Sequence, residues 1–327
     1  MTHRAGWLVR LETEAGLAGH GDCAPLPEAG SETAEAALAC LERAAPLLCG
    51  SAPDEALGRF GEAAERAPAA RCALETALLD LLAQQAGLPL ARWLNPRAPL
   101  TFEANAMLGG LEGDVAGLAA AALAEGFSIL KLKVGLAAPE IELERLRRLA
   151  AGLPPGARLR LDANGAWNME QAKRFIGGLA GLPVESLEEP LAHPEIALLR
   201  QLQALAPFPL AIDESLRNLG AEGVLAEAAA RRLVLKPMAL GGVRPSFALA
   251  KSAERAGIEC VVTSAVDSAV GVLAAAHLAA ALGNGLAHGV ATSSWLLSNV
   301  GNAPQLEFSR IDLDNGMNGL GFDGGLA

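Results

Sequence analysis

Ile129-Leu130-Lys131-Leu132-Lys133-Val134 is the stretch on which the reading of this chain turns. Successive side chains on a strand point to opposite faces, so the apolar residues here share one face and the two lysines the other. The same alternation recurs downstream. In Leu159-Arg160-Leu161-Asp162 the leucines oppose Arg160 and Asp162. Leu210 and Ile212 oppose Ala211 and Asp213, and Leu233 and Leu235 oppose Val234 and Lys236. Parallel strands are normally covered on both faces and read as continuous apolar runs. Four strands that depart from this, each ending in a charge, predict a polar interior at their C-terminal ends.

Outward from these strands the rhythm is regular. Strands are predicted at Phe102–Met107, Ile129–Val134, Arg158–Asp162, Val184–Glu188, Leu210–Asp213, Leu233–Lys236, Glu259–Thr263 and Leu286–Val290. From Asp162 onward the strand ends recur about every 25 residues, the length of chain that a strand, a loop and a covering helix consume. Eight such units predict a TIM-type β/α barrel of seven to eight strands, with its site at the C-terminal mouth. The competing arrangement is an open doubly wound sheet, but no G-x-G-x-x-G follows a strand. The first hundred residues differ. Trp7–Glu12 alternates as a strand, a Gly-rich turn follows, and Thr33–Leu48 and Ala69–Ala86 have helical periodicity. This predicts a small α+β capping domain over 1–98, the barrel over 99–299, and a C-terminal segment, 300–327, packing back on the cap.

Bulk properties narrow the function. The chain has 327 residues and a net charge of -11, which gives no electrostatic affinity for nucleic acid or an anionic membrane. Five scattered cysteines with no C-x-x-C spacing argue against a disulfide framework or a zinc site and suit a reducing cytoplasm. MTHRAGWLVR lacks an apolar signal core, and Val270–Leu282, which holds His277, is too short to span a bilayer. A cytoplasmic enzyme acting on a small molecule is expected; oligomeric state is not legible.

Asp162, Glu188 and Asp213 close three successive strands. Clustered carboxylates repel unless protonated or neutralised by a cation, and oxygen ligands without His or Cys suit Mg2+, or Mn2+, over zinc. Lys131 and Lys133 come from the strand before the acids and Lys236 from the strand after them. A lysine serves as a general base once neighbouring cations favour its neutral form, and Lys131 and a metal would be two such neighbours. This set supports abstraction of a proton α to a carboxylate, with metal and lysines stabilising the enediolate.

At these residues the chain resembles the enolase superfamily, in its muconate lactonising subgroup. The motifs are Lys131-x-Lys133, Leu161-Asp-Ala-Asn-Gly-Ala-Trp167, Leu187-Glu-Glu-Pro190, Ile212-Asp-Glu-Ser215 and Leu235-Lys-Pro237, with Gly19-His-Gly-Asp-Cys-Ala-Pro-Leu-Pro27 in the cap. The resemblance implies that Asp162, Glu188 and Asp213 are magnesium ligands, Lys133 the acid/base, Lys131 its assistant, and Lys236 a cation on the opposite face of the substrate. The family's ligand is the glutamate two places before the proline, hence Glu188 and not Glu189. Parity leans the same way, since Glu188 shares a face with Val184 and Ser186. His193, His277 and His288 fall outside the motif positions, so none is expected as the base.

Within the subgroup the chain is similar to the o-succinylbenzoate synthases, in Arg4-Ala-Gly-Trp-Leu-Val-Arg10, Thr263-Ser-Ala-Val-Asp-Ser-Ala-Val-Gly271 and His288-Gly-Val-Ala-Thr-Ser-Ser-Trp-Leu296. That implies dehydration of 2-succinyl-6-hydroxy-2,4-cyclohexadiene-1-carboxylate in menaquinone biosynthesis. Asn164, Thr263, Ser264, Asp267 and His288 are the candidate substrate contacts. The chain departs from the family in opening at about the second cap strand, in Asp267 where Glu is usual, and in Ala265 where a small polar residue is usual. The alternatives are a dipeptide epimerase or N-succinylamino-acid racemase on the same scaffold, and a barrel without activity. Against the epimerase, Leu286-Ala-His-Gly-Val290 lacks the Asp-x-Asp that holds a substrate amine; the same loop argues against a muconate cycloisomerase. Against an inactive barrel stand five functional residues in register.

Overall fold

The computed structural model describes residues 3–60, 64 and 66–323. The cap opens with an antiparallel pair, β1 (Trp7–Glu12) and β2 (Ala18–Cys23). It continues through α1 (Ala34–Leu48), α2 (Pro53–Arg59) and α3 (Pro68–Gln85) to α4 (Leu90–Leu94). Thr33 caps α1 by accepting from the amide of Ala36. Glycine lets β2 lie directly on α3: a Cβ on Gly21 would stand 1.9 Å from the Ala73 carbonyl oxygen. Buried Ala37, Cys40, Ala44, Ala73 and Leu74 make a cap core of their own.

The barrel then alternates strand and helix. β3 (Thr101–Glu103) and β4 (Ala106–Gly109) lead into α5 (Val115–Ala124), β5 (Ile129–Lys133), α6 (Pro139–Ala151) and β6 (Arg158–Asp162). After these come α7 (Met169–Gly178), β7 (Val184–Glu188), α8 (Ile196–Leu205), β8 (Leu210–Ile212) and the short α9 (Leu216–Leu219) and α10 (Ala221–Ala226). β9 (Arg232–Leu235), α11 (Pro237–Leu240), α12 (Val243–Arg255), β10 (Glu259–Val262) and α13 (Ala269–Leu282) complete the set. The strands from β4 to β10 form one seven-stranded parallel sheet in chain order. The TIM-type barrel with an N-terminal cap is therefore what the chain forms. Leu130, Leu132, Leu159, Leu161, Leu187 and Leu210 are fully buried in the main core, while Ala211, Val234 and Val261 form a separate small cluster, as the alternation requires.

Two predicted strands differ. Phe102–Met107 is split, because the amide of Ala104 bonds to Ser309 and that of Asn105 to His288. Leu286–Val290 forms no strand, only single parallel bridges, Ala104 to His288 and Thr263 to Gly289. The reason is His288: its Nδ1 accepts the amide of Val262 at 2.9 Å, taking the place of a backbone carbonyl. These bridges still close the sheet. The C-terminal segment first adds a hairpin of β11 (Gln305–Glu307) and β12 (Arg310–Asp312), whose second strand pairs antiparallel with β3, at the foot of the barrel. It then reaches the cap, where the Leu320 amide donates to Asp80 of α3 and Phe322 packs on His20. Among the described residues no helix is long and apolar enough to cross a membrane.

The lower interior holds an ionic floor. The register of β6 against β7 shifts at Glu185, a bulge that swings its carboxylate to the inside. Arg160 donates to Glu185 from Nε at 3.1 Å and to Asn105 and the Ala287 carbonyl from its other nitrogens. Arg232 bridges Glu185 at 2.5 Å and Glu259 at 2.6 Å. Burial would raise the Glu185 pKa, but the two guanidiniums win and hold it down to about 2.

Candidate active site

Above this floor, Lys133, Asp162 and Glu188 lie in one cross-strand row. Asp213 follows at the end of β8 and Lys236 at the end of β9. The three acid-bearing strands thus sit between two lysine-bearing ones. Lys131 is one layer lower and bridges the acids, with Nζ 2.6 Å from Glu188 Oε2 and 3.0 Å from Asp162 Oδ2. Lys133 Nζ donates to Asp162 Oδ2 at 2.7 Å and to Asn164 Oδ1. Lys236 Nζ donates to Asp213 Oδ2 at 2.5 Å and to Glu214 Oε1 at 2.8 Å. Asn164 is placed by a left-handed backbone (φ 43°) and by its amide, which donates to Asp162 Oδ1.

Burial and charge act in opposition here. Burial would raise the Asp162 pKa, yet Lys131 and Lys133 hold it down at about 2. Asp213 is pushed well above the carboxylate range, by burial first and by Glu188 and Glu214 after it, against the pull of Lys236. Lys236 is held more basic than a free lysine despite burial, by Asp213 and Glu214. Lys131 shifts in the same direction, through Glu188 and Asp162.

Glu188 and Glu189 face different ways. Glu188 Oε2 meets Lys131, and its Oε1 is buried with no hydrogen-bond partner. Glu189, in a left-handed backbone (φ 45°), accepts from the Asp213 amide (2.7 Å), the Ser215 amide (3.0 Å) and the Ser215 hydroxyl (2.7 Å). It shapes the turn that presents Asp213. Among the described residues no three His, Cys, Asp or Glu side chains already form a ligand cage; the acids are paired with Lys131, Lys133 and Lys236. The donor set nonetheless fits a hard divalent cation. It is all oxygen, it offers the orphaned Glu188 Oε1, and it includes an Asp213 whose charge is poorly compensated.

The candidate substrate contacts separate. Ser264 lies at the mouth beyond β10, its hydroxyl bonded to Thr292 at 2.7 Å, and Thr263 Oγ1 beside it is buried without a partner. Asp267 is turned away into the joint with the cap, Oδ2 accepting the Ala265 amide and Oδ1 3.7 Å from Arg4. His288 is corrected more sharply. It is 1 % exposed, its ring edge meets Phe102, and burial with Arg160 and Arg232 nearby lowers its pKa to about 3, so it is a neutral seam residue below the mouth. Glu214, the second partner of Lys236, went unread in the sequence; its place directly after Asp213 was the available signal.

Known proteins bear this architecture. Residues 114–323 match the enolase C-terminal domain-like model and residues 2–94 the N-terminal domain of mandelate racemase and muconate lactonizing enzymes. A hydrophobic dipeptide epimerase of Enterococcus faecalis is 30% identical over 85% of this chain and 79% of its own length. Muconate cycloisomerase 1 of Rhodococcus opacus is 30% identical over 86% of this chain and 78% of its own. The crystal structure of a dipeptide epimerase from E. faecalis V583, complexed with Mg and the dipeptide L-Leu-L-Tyr, superposes with a TM-score of 0.86 at 27% identity, covering 97% of this chain and 91% of that one. A barrel and cap matched across nearly their whole length identify this chain as an enzyme of the enolase superfamily, in the mandelate racemase and muconate lactonizing group.

Proposed function

We propose that this enzyme removes the proton α to a carboxylate and expels a β-hydroxyl, as an o-succinylbenzoate synthase acting on 2-succinyl-6-hydroxy-2,4-cyclohexadiene-1-carboxylate. The observation that carries the reading is the lysine on either side of the acid row, set against the absence of any acid from Leu286 to Thr292 that could hold a substrate amine. Asp162, Glu188 and Asp213 would hold Mg2+, with Mn2+ an alternative. The ion would supply positive charge at the substrate carboxylate, lowering the cost of negative charge there as the α-proton leaves.

The chain's own residues do the rest. Lys133, steadied by Asp162 and Asn164, takes the proton onto Nζ and returns it to the departing hydroxyl. One C–H and one C–O bond break, water leaves, and the ring becomes aromatic. Lys236 is held cationic by Asp213 and Glu214, which suits a fixed charge beside the enediolate. Lys131, buried under the acids, helps keep Asp162 ionised and pairs with Glu188.

A second reading has support of its own. Lysines on two sides also permit removal of a proton on one face and its return on the other, and relatives of this chain carry the names of dipeptide epimerases. Purified protein with magnesium and the cyclohexadiene carboxylate decides between them. The synthase reading expects a rise in aromatic absorbance. No rise, together with deuterium wash-in at the α-carbon of a dipeptide or an N-succinyl amino acid, refutes it.

A further inference from the structure

A buried charged cluster lies outside the lysine and acid row, where the cap meets the barrel. Arg4 reaches into this joint ahead of β1. Its guanidinium donates to two cap carbonyls, Pro25 at 2.5 Å and Ala24 at 2.6 Å. It also donates to two carbonyls of the loop after β10, Ala265 at 3.2 Å and Val266 at 3.3 Å, and stands 3.7 Å from Asp267. A rigid fork of donors can serve several carbonyls at once; a lysine ammonium cannot reproduce it.

The loop so held is under strain. Val266 has φ 59°, a left-handed conformation that a β-branched residue adopts only when its surroundings impose it. Asp267 folds back on the Ala265 amide (2.9 Å), and Asp22 of β2 accepts the Ser268 amide (2.8 Å). Gly271 of α13 is pressed on both aspartate side chains: a Cβ there would stand 2.6 Å from the Asp267 Cβ and 2.7 Å from Asp22 Oδ2. One end of the loop is Thr263 and Ser264 at the barrel mouth. Its middle, Ala265, packs in the cap core with Met238, two residues beyond Lys236.

We propose that Arg4 is a positioning residue for substrate recognition. It clamps the loop Thr263–Ser268 to the cap segment Ala24–Pro25, fixing a wall of the pocket that receives the part of the substrate remote from the carboxylate. The proposal rests on the site reading above, since the wall matters only if substrate lies against the mouth of the barrel. The reacting atoms are set by β5 to β9, which Arg4 does not touch, so its loss weakens binding and spares the chemical step.

Arg4→Ala, Arg4→Gln and Arg4→Lys test this in two ways. Hydrogen exchange of the peptide spanning 264–271, followed by mass spectrometry without substrate, is expected to quicken by about tenfold or more in the Ala and Gln variants while peptides from β6 and β7 keep their protection. With whichever substrate the wild type turns over, KM is expected to rise about tenfold with kcat within about threefold, and the Lys variant to fall between. Unchanged exchange of 264–271 overturns the clamp. A drop in kcat at constant KM overturns the positioning role. If Arg4→Ala loses protection everywhere, the Gln and Lys variants decide by the same criteria. A wild type inactive on every carboxylate tried refutes the site reading and leaves the exchange experiment to judge the clamp alone.

Discussion

Replacing Lys131 by Met tests the electrostatics of the site most directly. Its ammonium stands 2.6 Å from Glu188 and 3.0 Å from Asp162 and is 6 % exposed. At an effective dielectric near 20, each contact is worth about 6 kcal/mol of Coulomb energy, most of it offset by desolvation. Removing one partner of a buried pair leaves the other uncompensated, at about 3–5 kcal/mol. At about 2 °C per kcal/mol for a chain of this size, Tm without metal should fall by about 6–10 °C. Methionine matches the stem in length and shape, so lost packing contributes little. Divalent metal should then act as a substitute cation. At one hundred times its Kd a ligand of the folded state adds about 2.7 kcal/mol. Magnesium should therefore narrow the Tm gap between variant and wild type, where a simple packing defect would leave the gap constant. Scanning calorimetry in EDTA and in excess magnesium measures both. A variant within about 1 °C of wild type in EDTA would refute the reasoning, because two contacts this short and this buried cannot then be carrying net charge compensation.

Three further outcomes follow from named contacts. Lys133→Ala should lower kcat by about a thousandfold or more with circular dichroism unchanged; full activity would remove Lys133 as the base. Glu185 has a depressed pKa, so its stabilisation is complete above its ordinary value of 4.5 and fades as pH falls through about 2. Glu185→Gln should cost about 3–5 kcal/mol at pH 7 and flatten stability between pH 5 and 2.5, read from urea midpoints. Asp22 is shifted the other way, from 3.8 up to about 6, by burial and then Asp267. Its favourable term is complete below 3.8 and lost as pH rises through 6, so Asp22→Asn should gain up to about 3 kcal/mol over wild type at pH 8 and nothing at pH 3.5.

The barrel was legible because its inward charges break a rule that parallel strands otherwise obey. Lys133, Asp162, Asp213 and Lys236 announce themselves by alternation alone, and the structure brings all four to the same end of the sheet. Parity fails where the register slips. Counting from Val184 to Glu188 crosses the bulge at Glu185, whose carboxylate ends inside although simple alternation sends it outward. Parity counted from Ser186 to Glu188 does not cross it. Other features were invisible for a different reason. His288 closes the seam with a side chain in place of a main-chain carbonyl, and no hydropathy pattern records that exchange. Arg4 meets Ala265 and Val266 across some 260 residues of sequence, so nothing near it hints at its partners.

The charge balance of the site accounts for the kind of molecule it would select. Four carboxylates, Asp162, Glu188, Asp213 and Glu214, face three ammoniums, Lys131, Lys133 and Lys236. One negative charge is left over, and Asp213, where the compensation is poorest, is the group whose ionisation is resisted. With Lys133 counted as an ammonium, before it acts as the base, a divalent ion would turn that deficit into an excess of one positive charge inside a buried cleft. An uncompensated buried charge is costly, and the substrate carboxylate at the reacting carbon cancels it. The same arithmetic disfavours neutral molecules of identical shape. The methyl ester of a substrate should therefore bind at least about a hundredfold more weakly than the acid in the presence of magnesium, a difference of about 2.7 kcal/mol. Competitive inhibition measures it, and an ester that inhibits as well as the acid would mean that the charge count has been misassigned.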